Sequence, residues 1–124
     1  CPVSHRGHES PPATPLALAR WSAGLHNDEY SESWTDFVAR AQAGLKALES
    51  EDGAKNVLVF TSGGPISAVA AALLGLGPDG WMRLNRTCAN CSETKIVSGR
   101  SGTSLVTWNA HSWFDVDREL LSYR

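Results

Sequence analysis

The stretch from Asn56 to Leu74 constrains this chain more than any other. Val57, Leu58, Val59 and Phe60 form an unbroken apolar run bounded by turn chemistry, and such a run fits a strand of a parallel sheet that is buried on both faces. Thr61-Ser62-Gly63-Gly64 follows as a tight turn. Pro65 suits the first turn of a helix, and Ile66 to Leu74 continues that helix until Gly75 or Gly77 supplies the C-cap. Strand, glycine turn and helix in this order make one half of a βαβ unit.

The flanking segments extend the pattern. Ser33 followed by Asp36 resembles a capping box with the shorter acid, and it opens a helix whose apolar stripe is Trp34, Phe37, Val38, Ala41, Leu45 and Leu48. A shorter helix is expected over Leu16 to Leu25, broken by His26-Asn27-Asp28-Glu29-Tyr30. Gly77-Pro78-Asp79-Gly80 reads as a turn. Thr94 to Ser98 and Ser104 to Asn109 read as two strands of a hairpin joined through Gly99-Arg100-Ser101-Gly102. The tail from Asp115 to Arg124 is short enough for one more helical turn or strand. Residues 1–14, with three prolines and no apolar periodicity, form an irregular lead-in.

At 124 residues the chain has the size of one domain or part of one. The expectation is a single domain over 15–124. Its formal net charge is -2, and its eleven basic residues are scattered, so it carries no electrostatic footprint for nucleic acid. The apolar run from Ala68 to Leu76 is about half the ~20 residues of a membrane-spanning helix, so no membrane association is expected. Cys1, Cys88 and Cys91 are odd in number and widely split. They do not make the disulfide framework of a small secreted protein, and a cytoplasmic location is the default. An opening Cys1 in place of Met points to a processed or partial chain.

Four stretches then fall into a familiar order. Glu32-Ser33-Trp34-Thr35-Asp36-Phe37-Val38-Ala39-Arg40 is similar to an "E-S-x-x-x-F-x-x-R" helix start, and Asn56 to Ile66 to a strand, "H-G-G" turn and helix. Asn90-Cys91-Ser92-Glu93-Thr94 is similar to an "N-x-S-x-T" strand entry, and Trp108-Asn109-Ala110-His111 to an "x-N-x-x-x-H-L" strand exit. In order and spacing the segment from about Pro15 to Arg124 resembles the C-terminal part of the histidine phosphatase superfamily, also called the phosphoglycerate-mutase-like family. The resemblance implies a three-layer α/β/α sandwich with a mixed, mainly parallel sheet, here missing its N-terminal strand.

It also implies hydrolysis or transfer of a phosphate ester through a phosphohistidine, with no metal or organic cofactor. One histidine attacks phosphorus while arginines and a second histidine hold the phosphoryl oxygens. The family nucleophile stands in Arg-His-Gly, a tripeptide absent from these 124 residues, so little activity is expected of the chain alone. Ser4-His5-Arg6-Gly7-His8-Glu9 shares letters with that motif but not their order. Ser62 occupies the place of the second histidine and replaces a chargeable group with a hydroxyl that still donates one hydrogen bond. Some members of the family carry the same Thr-Ser-Gly-Gly form. Thr61, Ser62, Gly63 and Gly64 are the phosphate-binding candidates, through backbone N–H groups and the positive end of the helix that follows. His111 is a further contributor, and Trp113-Phe114 stands where the family has His-Leu. Arg40 reads as one half of an ion pair rather than a phosphate clamp.

Other readings compete with this one. A non-catalytic relative would use the Thr61 to Gly64 turn for a small phosphorylated ligand, or an exposed sheet edge for a partner chain or self-association. Cys88-Ala89-Asn90-Cys91 has C-x-x-C spacing, but a structural zinc site needs two more ligands at regular spacing, and only His111 is available. Half-buried free thiols are the plainer reading. Most of the five tryptophans, Trp21, Trp34, Trp81, Trp108 and Trp113, are expected to pack in the core.

Overall fold

The computed structural model describes residues 13–50 and 55–123. Four helices and one hairpin follow in order: α1 (Ala13–Ser22), α2 (Trp34–Glu49), α3 (Gly63–Leu73), α4 (Pro78–Thr87), β1 (Glu93–Gly99) and β2 (Gly102–Ala110). Short 3-10 turns lie at Asn27–Glu29, Ser112–Asp115 and Arg118–Leu120. The class is α/β.

The helix starts and stops follow local chemistry. Ser33 caps α2: its Oγ accepts the Asp36 backbone N–H at 3.1 Å and donates to Asp36 Oδ2 at 2.7 Å. Along α2 the expected stripe, Trp34 to Leu48, is the face turned inward, and the residues between its members are exposed. Helix α3 ends in a Schellman motif around Gly75, whose φ is +67°. Leu76 N–H donates to the Ala71 carbonyl at 2.8 Å and Gly75 N–H to that of Ala72 at 3.1 Å. The first helix lies earlier than expected and stops at Ser22, with Gly24 beyond it at φ +71°.

The core sits where the helices meet. Phe37, Ala68, Ala71 and Trp81 are its buried members, with Leu18, Trp21, Trp34, Val38, Met82 and Leu84 packed around them. Trp21, Trp34, Phe37 and Trp81 all touch one another, the closest pair being Trp34 and Trp81 at 4.6 Å between ring centroids with the planes at 60°. Such tilted and edge-on arrangements suit the ring quadrupoles. Helix α3 lies between α2 and α4, and its Ser67, Ala68, Ala70 and Ala71 are buried together with Val69. Small side chains let the neighbouring rings approach the α3 backbone.

One turn is corrected. Gly77-Pro78-Asp79-Gly80 is not a turn: Gly77 is the N-cap of α4 and Pro78 its first residue. Proline at that position has no N–H to leave unsatisfied and a φ already suited to a helix, and Trp81 supplies the buried anchor. Of the expected sheet, the described residues show one antiparallel pair, β1 and β2, with Gly99 opposite Gly102 and with irregularities on either side of Lys95. The hairpin is the expected one, but Val57–Phe60 has no ladder partner among the described residues. Its side chains are 48%, 80%, 49% and 90% exposed in order, an alternation of period two on a segment apolar on both sides. A run of this kind becomes a central strand only when strands flank it and helices cover it, and no described segment does so.

Hydrogen bonds tie the hairpin and the tail back to the helical part. Glu49, the last residue of α2, accepts hydrogen bonds through Oε1 from the hydroxyls of Ser98, at 2.6 Å, and Thr103. From the tail, Tyr123 forms a bridge with Ala89 just after α4, and the Asn90 N–H donates to the Ser122 carbonyl at 2.9 Å.

Candidate functional site

The N-terminus of α3 gathers the donors that the Thr61 to Gly64 turn was expected to present. Ser62 is the N-cap, with extended backbone (φ -100°, ψ 168°), and its hydroxyl makes no capping bond. Its carbonyl accepts the first helical bond, from the Ile66 N–H at 3.3 Å. Gly63 and Gly64 are the first two residues of the helix, and their N–H groups have no partner among the described residues. Pro65 contributes no N–H. Two backbone donors and one hydroxyl therefore sit together at the positive end of an eleven-residue helix. Thr61 and Ser62 are exposed, whereas Gly63 and Gly64 are partly covered.

Two helices, α2 and α4, build the walls of this turn. A Cβ added at Gly63 would lie 3.5 Å from Asn85 Oδ1 and 3.7 Å from Cys88 Cβ and Sγ, so the end of α4 abuts the glycine directly. One added at Gly64 would lie 3.5 Å from the Phe37 ring. The carbonyl of Gly64 also accepts the Trp81 Nε1–H at 3.1 Å. The most buried ring of the core thus grips the first turn of α3. No sequence signal singled out Asn85 or the Trp81 bond, because each comes from a neighbour across the fold rather than along the chain.

Among the described residues, no hydrogen bond brings His111 to the turn. It precedes the Ser112–Asp115 turn, and its Nδ1 donates to the Asn109 carbonyl at 2.6 Å, an arrangement that leaves Nε2 as the acceptor in the neutral ring. His5 and His8 lie outside the described residues. Arg40 is engaged by Glu32, with Nε donating to Oε1 at 2.7 Å and Nη2 to Oε2 at 2.9 Å, and it lies 5.7 Å over the Phe37 ring. The hydrogen bonds from Arg40 hold the Glu32 carboxyl below its ordinary range, and those same bonds raise the guanidinium. Glu32, Ser33, Phe37 and Arg40 thereby account for their motif structurally: an ion pair, a cap and a core ring that set the start of α2.

Cys88 and Cys91 are free, the first buried and the second exposed. Cys91 has a φ of +57° at the third position of the Ala89–Ser92 turn, which the Ser92 N–H closes onto the Ala89 carbonyl at 3.3 Å. Among the described residues no three His, Cys, Asp or Glu side chains are grouped so as to hold a metal ion, and no helix is long and apolar enough to cross a membrane.

A family model described as the histidine phosphatase superfamily, branch 1, matches residues 4–111. No curated protein and no solved structure matches the chain significantly.

Proposed function

Because this chain belongs to the histidine phosphatase superfamily, we propose that the Thr61 to Gly64 turn is a seat for a phosphoryl group, in a domain built for hydrolysis or transfer of a phosphate ester. The observation that carries this reading is the N-cap hydroxyl of Ser62, which makes no capping bond, beside the N–H groups of Gly63 and Gly64, which have no partner among the described residues. Phosphoryl oxygens accept from these three donors, and the α3 dipole adds to the attraction. The seat is neutral, since serine stands where the family has a chargeable histidine. It holds a phosphoryl group by directed hydrogen bonds and contributes no side-chain charge.

The covalent step of the family needs a histidine nucleophile, and Arg-His-Gly does not occur in these residues. The 124-residue chain on its own is therefore expected to bind phosphate without turning over an aryl phosphate. The same reading makes Val57–Phe60 a strand of a mainly parallel sheet in a three-layer sandwich, which would bring the seat to the carboxyl end of that strand, where ligands of open α/β sheets bind.

Thermal unfolding in rising concentrations of inorganic phosphate, at constant ionic strength, tests the seat. Wild type should be stabilised as a ligand-binding fold is. Ser62→Ala loses a hydrogen bond to an anion and should need about ten times more phosphate for the same effect. Identical titrations of the two proteins would refute the assignment. A second reading, in which the domain binds a partner chain, is favoured by the exposure of Leu58 and Phe60. Sedimentation across a range of concentrations reads self-association by that edge.

A further inference from the structure

We infer that Asn109 is a positioning residue of the phosphate seat: it clasps the peptide on both sides of Cys88 and so holds Cys88 against Gly63. This rests on the reading of the turn as a seat. The geometry is specific. Asn109 Nδ2 donates to the Thr87 carbonyl at 2.6 Å, and Asn109 Oδ1 accepts the Ala89 N–H at 2.8 Å. One carboxamide from the end of β2 thus grips the residues on either side of Cys88. Thr87 ends α4, so the grip also satisfies one of the carbonyls that a helix C-terminus leaves free.

The rest of Asn109 is equally committed. Its own N–H donates to Thr94 Oγ1 at 3.2 Å, and its carbonyl accepts from His111 Nδ1. Its φ is +54°, a left-handed conformation that asparagine tolerates better than most residues other than glycine. The position asks for an uncharged side chain that donates and accepts within a short reach, on a backbone with positive φ. Asparagine meets all of these at once.

Cys88 is 8% exposed, and its Cβ and Sγ form the wall beside Gly63. A Cβ built on Gly63 would stand 3.7 Å from Cys88 Cβ and Sγ, so a clasp that fixes Cys88 fixes the side of the seat that borders the Gly63 donor. Asn109 acts through Cys88 and is not placed in contact with the phosphoryl group.

The test combines two variants with two readouts. Asn109→Gly keeps the left-handed backbone and deletes the clasp, while Asn109→Asp keeps the acceptor and sets a carboxylate oxygen against the Thr87 carbonyl. Modification of Cys88 by iodoacetamide under native conditions, followed by peptide mass mapping, should quicken about tenfold or more in both, with Cys91 reacting freely throughout. The phosphate concentration needed for thermal stabilisation should rise by a similar factor. In wild type, saturating phosphate should also slow hydrogen exchange of the Ala89 amide, a measurement that needs no variant to fold. Asn109→Gly with wild-type Cys88 reactivity, or a faster Cys88 with an unchanged phosphate response, overturns the inference. So does Ala89 exchange that phosphate leaves unaltered while it stabilises the chain. A wild type that does not respond to phosphate at all refutes the seat itself, and the inference with it.

Discussion

Replacing Trp81 by phenylalanine should destabilise the protein far more than the same replacement at Trp113. Trp81 is 2% exposed, stands within 4.6 to 6.1 Å of three other aromatic rings, and donates its Nε1–H to the Gly64 carbonyl. Phenylalanine deletes that hydrogen bond, worth about 1 kcal/mol net. It also leaves a gap the size of the missing ring, between Trp21, Trp34 and the α3 backbone, for a further loss of about 1–2 kcal/mol. The sum, about 2–3 kcal/mol, is a large part of the ~5–15 kcal/mol that holds a domain of this size. Trp113 is 46% exposed and packs only against Phe114 among the aromatic rings, so Trp113→Phe should stay within about 0.5 kcal/mol of wild type. Urea unfolding followed by far-ultraviolet circular dichroism measures both without relying on the fluorescence that the substitutions remove. A shared slope with a lower midpoint for Trp81→Phe marks a stability change. Equal midpoints for the two variants would show that the aromatic cluster is not the core.

Other perturbations have equally definite outcomes. A Cβ on Gly80 would fall 2.5 Å from Leu76 Cβ, an atom tied to the Schellman turn, so Gly80→Ala should cost about 1–3 kcal/mol in the same urea assay. Gly44, in the exposed middle of α2, meets nothing within 4 Å, and Gly44→Ala should stabilise by about 0.4–1 kcal/mol. Glu29, Glu32 and Glu49 are held below their ordinary range by hydrogen bonds from Arg20, from Arg40 and from the Ser98 and Thr103 hydroxyls respectively. A carboxyl with a depressed folded pKa stabilises above its unfolded pKa and loses that contribution as pH falls through the folded one. Urea midpoints should therefore decline as pH drops below about 4.5, and Glu49→Gln should flatten part of that decline.

The helix boundaries and faces are largely local. Ser33 and Asp36 announced the start of α2, the spacing of Trp34, Phe37, Val38, Ala41, Leu45 and Leu48 announced its buried face, and Gly75 or Gly77 its neighbour's end, of which the structure takes Gly75, because caps and stripes are set by residues within a turn or two of each other. The two glycines flanking Arg100-Ser101 marked the hairpin for the same reason. Gly77 to Gly80 misled because proline and glycine signal a turn and a helix start alike, and the anchor that decides between them, Trp81, finds its partners on other helices.

Val57–Phe60 shows the opposite boundary. Its composition names a buried strand, yet ladder bonds belong to pairs of strands, and no described segment supplies the second member. The candidate site divides in the same way. Ser62, Gly63, Gly64 and the helix behind them were visible in the sequence, since a turn that opens a helix is a local object. The walls of that turn were not: Asn85 and Cys88 reach Gly63 from α4, Trp81 holds Gly64 from the core, and Asn109 grips the peptide around Cys88 from β2. By itself the sequence determined the family, the helices with their inward faces, and the row of donors at α3. Only the tertiary structure decided what stands against those donors, because contacts between residues far apart in the chain arise when α3, α4 and β2 pack together, and no local pattern encodes which side chain meets which backbone there.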